Sequence, residues 1–412
     1  MNSARAPILL TCITAEDSVT LVRGQLHYMK ERGFDARILS SPGSRVRDFA
    51  REEGIVLHEI EMQRDPAPRE DLRALGRIYR LFRTVRPDIV NAGTPKAGFL
   101  CAVAARMARC PAIIYTLRGF RFESESGLRR VALQIPERIA SECAHRVICI
   151  SPSVKDLGVR RGLVPASKAM VLGEGSSNGV DLKRFQAGAR NSNGARRIRT
   201  RYGLTGDALV VGFVGRLIRR KGVDELLRAW CEIRERHERA RLLLVGPREE
   251  SQSLSPASWR QIEEDPRIIE TGGVDDVEQY LAVMDVFALP AHWEGFGNVL
   301  IEAAAAGVPV VSTWATGTRD AVAHEYNGTL VPIGDSFALS TALESYLGDA
   351  DRRRAHGRNG LAWAERFRRE RVWKSLFDLY CEMSPAHAAL ANRDASLRVN
   401  QSRPAKSETC PG

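Results

Sequence analysis

Residues 294–302 read EGFGNVLIE and are the most informative segment of the sequence about the fold. An apolar run at residues 286–290 precedes it and is typical of a buried strand. Four alanines follow it, Gly307 ends the helix that they predict, and the apolar residues 308–311 begin another strand. The stretch therefore predicts a strand, a glycine-bearing loop, a helix N-terminus and a second strand.

The loop within this stretch has the properties of a binding site for a phosphate or a polyol. Free N–H groups at a helix N-terminus attract anions, and Gly295 and Gly297 allow a ligand to approach the backbone. Glu294 and Glu302 could accept hydrogen bonds from the hydroxyl groups of a sugar or a ribose. Two glutamates eight residues apart can also be a coincidence, so the context of the motif decides between these interpretations.

The composition bounds the class of protein. A length of 412 residues predicts two or more domains, and an apolar content of 44% is typical of globular proteins. No apolar run reaches the roughly 20 residues that span a bilayer, and the first run is too short for a secretory signal, so we expect a cytoplasmic protein. The net charge of +11 suits acidic lipid or an anionic substrate. No nucleic-acid partner is expected, because the usual binding motifs are missing from the sequence.

The N-terminal half shows the alternation that is typical of a parallel α/β domain. A strand at residues 7–11, a helix at residues 19–32 ended by Gly33, and a strand at residues 36–40 are expected. No Gly-x-Gly-x-x-Gly follows the first strand, which argues against a dinucleotide-binding dehydrogenase.

Residues 69–86 predict an amphipathic helix with a basic face. Such a helix can lie on an anionic membrane surface, and it can equally be a sheet-covering helix with a solvated face. The basic face consists of Arg69, Arg73, Arg77, Arg80 and, at its edge, Arg83.

A polar, glycine-rich stretch at residues 173–181 predicts an interdomain connection, and clefts between domains are favoured ligand sites. A second α/β domain begins with the apolar strand at residues 209–214. The loop after that strand contains Gly215, Arg216 and Lys221, and its two cations could neutralise a diphosphate.

These motifs resemble those of the retaining glycosyltransferases of family 4, from about Thr11 to about Tyr380. The resemblance rests on Glu-x7-Glu at residues 294–302, Gly-Arg-x4-Lys-Gly at residues 215–222 and Asn-Gly-Val-Asp at residues 178–181. It implies an α/β protein of the GT-B fold, in which two doubly wound, Rossmann-like parallel-sheet domains face each other across a cleft. The expected parts are an acceptor-binding domain at residues 1–172, a linker at 173–185, a donor-binding domain at 186–364, a helix crossing back at 365–384 and a disordered tail at 385–412.

The resemblance also implies roles for individual residues. Arg216 and Lys221 would hold the diphosphate of a nucleotide-sugar donor, Glu294 the sugar and Glu302 the ribose. The catalytic candidates are Glu294, Arg216 and Lys221. Further donor contacts are expected from Gly215, Val274, Gly295, Phe296, Gly297 and Asn298.

No metal or other cofactor is expected, and no separate base is obvious. The single Asp-x-Asp, at residues 349–351, lies in a charged helical stretch and indicates a solvated face. In the front-face transfer that the resemblance implies, the leaving phosphate takes the proton of the acceptor.

The acceptor side departs from the family pattern. Asn91 and Gly93 replace the usual histidines, and Arg118 stands where many relatives have a histidine. An arginine cannot act as a base near neutral pH, but it can bind a phosphate with two hydrogen bonds. With an arginine at this position, the sequence resembles the subgroup of the family that builds capsular and exopolysaccharide units on lipid carriers. The candidate acceptor-binding residues are Lys96, Arg118 and Arg121, and Arg129 and Arg130 complete a cluster of arginines in the sequence.

We therefore expect a retaining glycosyltransferase that moves a hexose or N-acetylhexosamine from a nucleotide sugar. The expected nucleotide sugar is a UDP-sugar. The expected acceptor is a glycan on undecaprenyl diphosphate, and the expected place is the cytoplasmic face of the inner membrane, with peripheral attachment. Two alternatives remain. One is a nucleotide-sugar epimerase of the same architecture, and the other is a non-catalytic scaffold that binds a nucleotide sugar. The charged motif residues argue against the scaffold, because buried charges are costly to keep.

Overall fold

The computed structural model describes residues 5–187, 192–204, 206–250 and 253–384. The predicted disordered tail lies outside the described residues. The strands are β1 (Ile8–Cys12), β2 (Asp35–Ser40), β3 (Val56–Glu59), β4 (Ile89–Gly93), β5 (Ala112–Leu117), β6 (Arg146–Cys149), β7 (Ala169–Met170), β8 (Leu209–Val214), β9 (Ala240–Val245), β10 (Ile268–Glu270), β11 (Val286–Leu289), β12 (Val310–Thr313) and β13 (Gly328–Val331). The α-helices are α1 (Gln25–Glu31), α2 (Ser44–Glu53), α3 (Pro68–Val85), α4 (Pro95–Ala108), α5 (Gly127–Cys143), α6 (Pro152–Arg160), α7 (Leu182–Ala187), α8 (Asn193–Arg201), α9 (Val223–Arg236), α10 (Pro256–Glu264), α11 (Val277–Leu281), α12 (Asn298–Ala305), α13 (Thr318–Ala321), α14 (Ser336–Gly348), α15 (Ala350–Ala364) and α16 (Arg369–Met383).

The first domain is built on a parallel sheet with the order β3-β2-β1-β4-β5-β6-β7. Strands β1, β4 and β5 are buried along their whole length because helices cover both faces of the sheet. One face packs against α1, α2 and α16, and the other against α3, α4, α5 and α6. The expected doubly wound domain is confirmed.

The second domain is built on a parallel sheet with the order β10-β9-β8-β11-β12-β13. The strand order reverses between β8 and β11, and right-handed crossovers therefore place helices on both faces. In a sheet of this kind, ligands bind at the carboxyl ends of the strands where the order reverses. The loops after β8 and β11 contain the two charged motifs of the sequence, so both motifs lie at this point.

Two segments connect the domains, and they lie side by side. The N–H of Val180 donates to the carbonyl of Phe367 at 2.8 Å, and the N–H of Arg369 donates to the carbonyl of Val180 at 3.1 Å. Helix α16 then packs on the first domain, where Phe377 and Tyr380 each lie 6.0 Å from the ring of Phe34.

Two boundaries differ from the expected domain limits. Helix α7 begins inside the expected linker at 173–185 and ends beyond it, and it contacts α11 and α12 of the second domain. The returning helix begins at Arg369 and not at residue 365, because Glu365–Phe367 form a 3-10 turn and Arg368 is extended.

The expected helix at residues 19–32 is wrong in its extent. The structure has a 3-10 turn at Glu16–Leu21 and then α1, separated by Gly24 at a φ of +79°. The carboxylate of Glu53 accepts hydrogen bonds from the N–H groups of Gly24 and His27 at 2.5 and 2.7 Å. This side chain caps the start of α1, and the capping interaction comes from a residue far along the chain.

Helix α3 has the amphipathic character that the sequence predicts. Ala74, Ile78 and Phe82 are buried, and the five arginines of the basic face are exposed. Leu72, which the periodicity places with the apolar face, is 71% exposed. Among the described residues, no helix is long and apolar enough to cross a membrane.

Candidate active site

Glu294 lies in the loop between β11 and α12, next to the loop that follows β8. Its carboxylate Oε1 is 3.4 Å from Lys221 Nζ and 3.5 Å from Arg220 Nη1, and all three side chains are largely buried. Burial opposes ionisation of Glu294, but Lys221 and Arg220 hold its pKa below the usual range. The site therefore contains an ionised carboxylate between two cations.

Gly215 makes room for this arrangement. Its φ is +146°, and a Cβ at this position would lie 2.8 Å from Lys221 Nζ and 3.1 Å from Lys221 Cδ. Any other residue would push the lysine away from Glu294. The structure thus brings Gly215, Lys221 and Glu294 together.

Arg216 points to another part of the site. Its guanidinium pairs with Glu249 at 2.5 Å, and the side chain is about half exposed at the open side of the interdomain cleft. The structure therefore separates Arg216 from Lys221, although one loop contains both residues.

Glu302 lies in the second turn of α12 and is half-buried. Burial raises the pKa of its carboxyl to about 7, against the opposing effect of Arg184 and Lys221. Val274 follows β10 and packs against the core of the second domain. Neither Glu302 nor Val274 lines the cavity around Glu294.

That cavity has a volume of about 340 Å³ and lies between the domains. The second domain lines it with Lys221, Leu289, Glu294, Gly295, Phe296, Gly297, Asn298 and Val299. The first domain and the connection contribute Leu21, Arg118, Ile150 and Ser177. A ligand bound at Glu294 would therefore contact both halves of the molecule.

The two domains touch closely at this cavity. A Cβ on Gly295 would lie 2.2 Å from the carbonyl oxygen of Arg118, so only glycine fits there. At the start of α6, Ser153 donates its N–H to Asp320 Oδ2 at 3.1 Å and accepts from the N–H of Gly317 at 2.8 Å. These contacts hold the site closed.

A second cavity, of about 580 Å³, continues the cleft towards the first domain. Lys96 and Arg121 both line it, as expected for an acceptor site. However, Lys96 pairs with Asp71 at 2.6 Å. Arg121 donates to the carbonyl of Arg64 at 3.1 Å. The whole lining consists of Thr14, Ala15, Ser18, Arg64, Asp65, Thr94, Pro95, Lys96, Arg121, Glu125, Arg216, Arg220, Glu249 and Trp293.

Arg118 lies in the first cavity and not in the second. Its guanidinium donates to Ser177 Oγ, and burial lowers its pKa to about 10, so it remains a cation at neutral pH. Its Nε is buried without a hydrogen-bond partner. A Cβ on Gly93 would lie 3.2 Å from this Nε. Gly93 thus leaves space for Arg118, and the two departures from the family pattern fit together.

The four arginines that are close in the sequence do not form one site. Arg118 is buried in the first cavity, and Arg121 lines the second. The side chain of Arg129 is 85% exposed on the outside of α5, and the guanidinium of Arg130 lies 5.7 Å from the centre of the Phe122 ring. Arg121 lies in a 3-10 turn before α5, whereas Arg129 and Arg130 are successive residues of α5 and point in different directions around that helix.

Several residues of the site were missed by the sequence analysis. Arg220 pairs with Glu294, and its guanidinium lies 4.4 Å from the centre of the Trp293 ring. Its position next to Lys221 in a basic run is the sequence feature that could have indicated a role in the site. Ser153, Ser177 and Asp320 join the domains across long separations in sequence, for which no local pattern exists.

The Asp-x-Asp motif has a structural role. Asp349 caps α15 by accepting from the N–H of Arg352 at 2.8 Å, and Asp351 pairs with Arg354. Among the described residues there is no cluster of three or more side chains suited to a metal ion.

Comparison with known proteins identifies both domains. A family model described as a glycosyl transferase 4-like domain matches residues 18–175, and one described as glycosyl transferases group 1 matches residues 208–349. The capsular polysaccharide biosynthesis glycosyltransferase CapM of Staphylococcus aureus is 35% identical over 370 residues, which are 89% of this chain and 95% of CapM.

Two further proteins are similar. The UDP-Gal:alpha-D-GlcNAc-diphosphoundecaprenol alpha-1,3-galactosyltransferase of Escherichia coli is 28% identical over 277 residues, or 66% of this chain and 70% of that protein. The crystal structure of Anabaena HepE in complex with UDP and glucose superposes with a TM-score of 0.74 at 22% identity, over 89% of this chain and 97% of HepE. The chain therefore belongs to the family 4 type of glycosyltransferases and is an enzyme of that kind with the GT-B fold.

Proposed function

We propose that the enzyme is a retaining glycosyltransferase of cell-surface polysaccharide synthesis. It transfers a hexose or N-acetylhexosamine from a UDP-sugar to a glycan linked to undecaprenyl diphosphate. The observation that carries the proposal is the ionised Glu294 between Lys221 and Arg220 in a cavity shared by both domains. The capsular role of CapM and the diphosphoundecaprenol acceptor of the galactosyltransferase support it.

In the proposed complex the sugar of the donor occupies the cavity around Glu294, and the rest of the donor extends beyond that cavity along the second domain. Lys221 neutralises the diphosphate from inside the cavity and Arg216 from the neighbouring part of the cleft. Glu294 accepts hydrogen bonds from the sugar, and Glu302, outside the cavity, binds the ribose. The backbone from Gly295 to Asn298 adds further donor contacts, and Val274 lies near the nucleobase. HepE, which has the same fold, binds UDP and glucose.

The proposed transfer needs no metal and no separate base. The fixed cations at the site stabilise the negative charge that develops on the leaving phosphate. Among the described residues that line the first cavity, Glu294 is the one carboxylate, and its pKa is held low by two cations, which makes it a poor base. In the front-face mechanism that the family resemblance implies, the leaving phosphate takes the acceptor proton on the same face, and the anomeric configuration is retained.

The proposed acceptor approaches through the second cavity. Lys96, Arg121 and Arg64 line this part of the cleft, and guanidinium groups bind diphosphates with paired hydrogen bonds. Arg118 lines the first cavity, where the acceptor would meet the donor sugar. Because such an acceptor is embedded in lipid, we place the enzyme at the cytoplasmic face of the inner membrane, bound peripherally.

The test is an assay of sugar transfer with a panel of UDP- and GDP-sugars and with undecaprenyl-diphosphate-linked acceptors. Wild type is compared with Glu294→Gln and Lys221→Met. We expect acceptor-dependent transfer from a UDP-sugar, lowered about 100-fold or more in each variant, because a fixed electrostatic contact to the reacting centre is lost. The anomeric configuration of the product is read by NMR and should equal that of the donor.

Two control variants make the same kinds of charge change at residues that line neither cavity. Glu325→Gln removes a carboxylate that pairs with Arg352, and Lys374→Met removes an amine that pairs with Asp378. Both should transfer at the wild-type rate. Interconversion of the free nucleotide sugar would instead indicate an epimerase, donor binding without turnover on any acceptor would indicate a scaffold, and either result would refute the proposal.

A further inference from the structure

Helix α5 presents a row of large apolar side chains to solvent. Leu128 is 89% exposed, Val131 56%, Ile135 55% and Ile139 38%. Their spacing of three, four and four residues places them along one face of the helix. We call these four side chains the α5 ridge. A row of this length needs an explanation, because exposed apolar residues are otherwise scattered singly.

The opposite face of α5 fixes the direction of the ridge. Glu137, Ala140 and Ser141 are buried against the first domain, and the hydroxyl of Tyr115 donates to Glu137. Burial raises the pKa of this carboxyl to about 7. The helix is thus seated on the sheet by its inner face, and its ridge points away from the protein.

Positive charge flanks the ridge. Arg129 and Arg138 lie on either side of it, Arg138 directly beside the ridge and Arg129 about a third of a helical turn from its centre, and both are exposed. Near the far end, Glu142 adds a negative charge that Lys168 faces at 3.7 Å.

The neighbouring helices extend the same surface. Helix α4 contacts both α3 and α5, so the outer faces of the three helices form one layer. This layer adds the five exposed arginines of α3, together with Met107 at 55% exposure and Leu72 at 71%. The surface therefore combines an apolar ridge with a broad basic area.

We propose that this surface docks on an anionic lipid bilayer, with the α5 ridge inserted among the headgroups. A row of large apolar side chains bordered by arginines is the pattern of helices that lie in a membrane interface, where the guanidinium groups reach the phosphates. The net charge of +11 favours the same partner. The sequence left open whether residues 69–86 form a membrane-surface helix or a sheet-covering helix. In the proposed docking, α3 contributes positive charge and α5 the apolar contact.

The docking orients the active-site cleft. Arg121 and Glu125, which line the second cavity, directly precede α5 in the chain. A bilayer touching Leu128 would therefore lie close to the mouth of the cleft, where a lipid-linked diphosphate could enter. This consequence rests on the proposed function, whereas the docking itself rests on the surface of α5.

The first experiment measures binding to vesicles by sedimentation. Anionic vesicles of phosphatidylcholine with about 30% phosphatidylglycerol are compared with pure phosphatidylcholine, in line with the expected role of charge. Leu128→Ser with Ile135→Ser should lower the partition coefficient on anionic vesicles at least tenfold, since two inserted side chains are lost. Arg129→Gln with Arg138→Gln should lower it about tenfold or more on anionic vesicles and leave it unchanged on neutral ones.

The matched control changes two apolar residues of the second domain that are also exposed to solvent. Ile333 is 50% exposed and Phe337 68%, and Ile333→Ser with Phe337→Ser should bind vesicles as wild type does. Thermal unfolding, followed by circular dichroism in every variant, shows that each one is folded.

Two results would overturn the proposal. One is equal vesicle binding by the ridge variant and wild type. The other is a wild-type dimer, seen by light scattering, that the ridge variant abolishes, because the ridge would then be a contact between protein chains. Vesicle binding needs no turnover, so an enzyme that docks but transfers no sugar would contradict the proposed function and leave the docking intact.

Discussion

The two domains use their charged residues in different ways at the cleft. In the second domain, Lys221, Arg220 and Glu294 contact one another at the site. In the first domain, Lys96 pairs with Asp71 and Arg118 with Ser177, so each cation already has a partner from another segment. The comparison shows that a charged residue at a cleft is informative about function when its partner belongs to the same site.

Topology explains the difference. The loops after β8 and β11 leave adjacent strands at the point where the strand order reverses, so their short motifs must meet. In the first domain, Lys96 and Arg118 follow β4 and β5, but their partners lie elsewhere in the chain. Lys96 pairs with a residue of α3, and Arg118 pairs with a residue of the interdomain connection. Their local sequence therefore says little about their partners.

The largest effect is expected from Gly295→Ala, which tests whether the two domains must close on each other. The new Cβ would lie 2.2 Å from the carbonyl oxygen of Arg118 and would hold the domains apart. A displacement of about 1 Å can lower a rate about 100-fold, and we expect a loss of transfer of that size with little change in donor affinity. Steady-state kinetics and calorimetry measure the two quantities.

Gly348→Ala is the matched control for this change, because a Cβ at Gly348 meets nothing within 4 Å. It should transfer sugar as wild type does. Full activity of Gly295→Ala would show that the closed arrangement is not needed for transfer.

A smaller effect is expected from Arg118→Met, which removes the buried cation of the first domain. A buried guanidinium with an unpartnered Nε costs stability, so the melting temperature should stay the same or rise. Transfer should fall about tenfold, an effect on the scale of one charge-assisted hydrogen bond. Arg260→Met, at an exposed position of α10, is the control. A lower melting temperature with unchanged transfer would assign Arg118 a structural role only.

The last effect, about as large as that of Arg118→Met but confined to donor binding, concerns the pH dependence of this binding at Glu302. Its pKa of about 7 in the free enzyme means that the carboxyl is largely protonated at lower pH. Ribose hydroxyls donate to the ionised form, so donor affinity should rise about tenfold from about pH 6 to 8 and level off above. In Glu302→Gln the affinity should be independent of pH over this window. Calorimetry with the best donor of the panel measures it, and an unchanged slope in the variant would remove Glu302 from the donor site.

The parallel α/β domains, the place of the two motif loops and the family could be predicted from the amino-acid sequence. Apolar runs bounded by glycine and proline specify buried strands locally, and the spacing within residues 215–222 and 294–302 places each charge at the end of a strand. Three features became visible only in the folded chain: which cations meet a carboxylate, how Gly93 leaves room for Arg118, and that α5 rather than α3 presents an apolar face to solvent. These features depend on contacts between segments far apart in the chain, and periodicity records which side chains share a face but not what that face packs against.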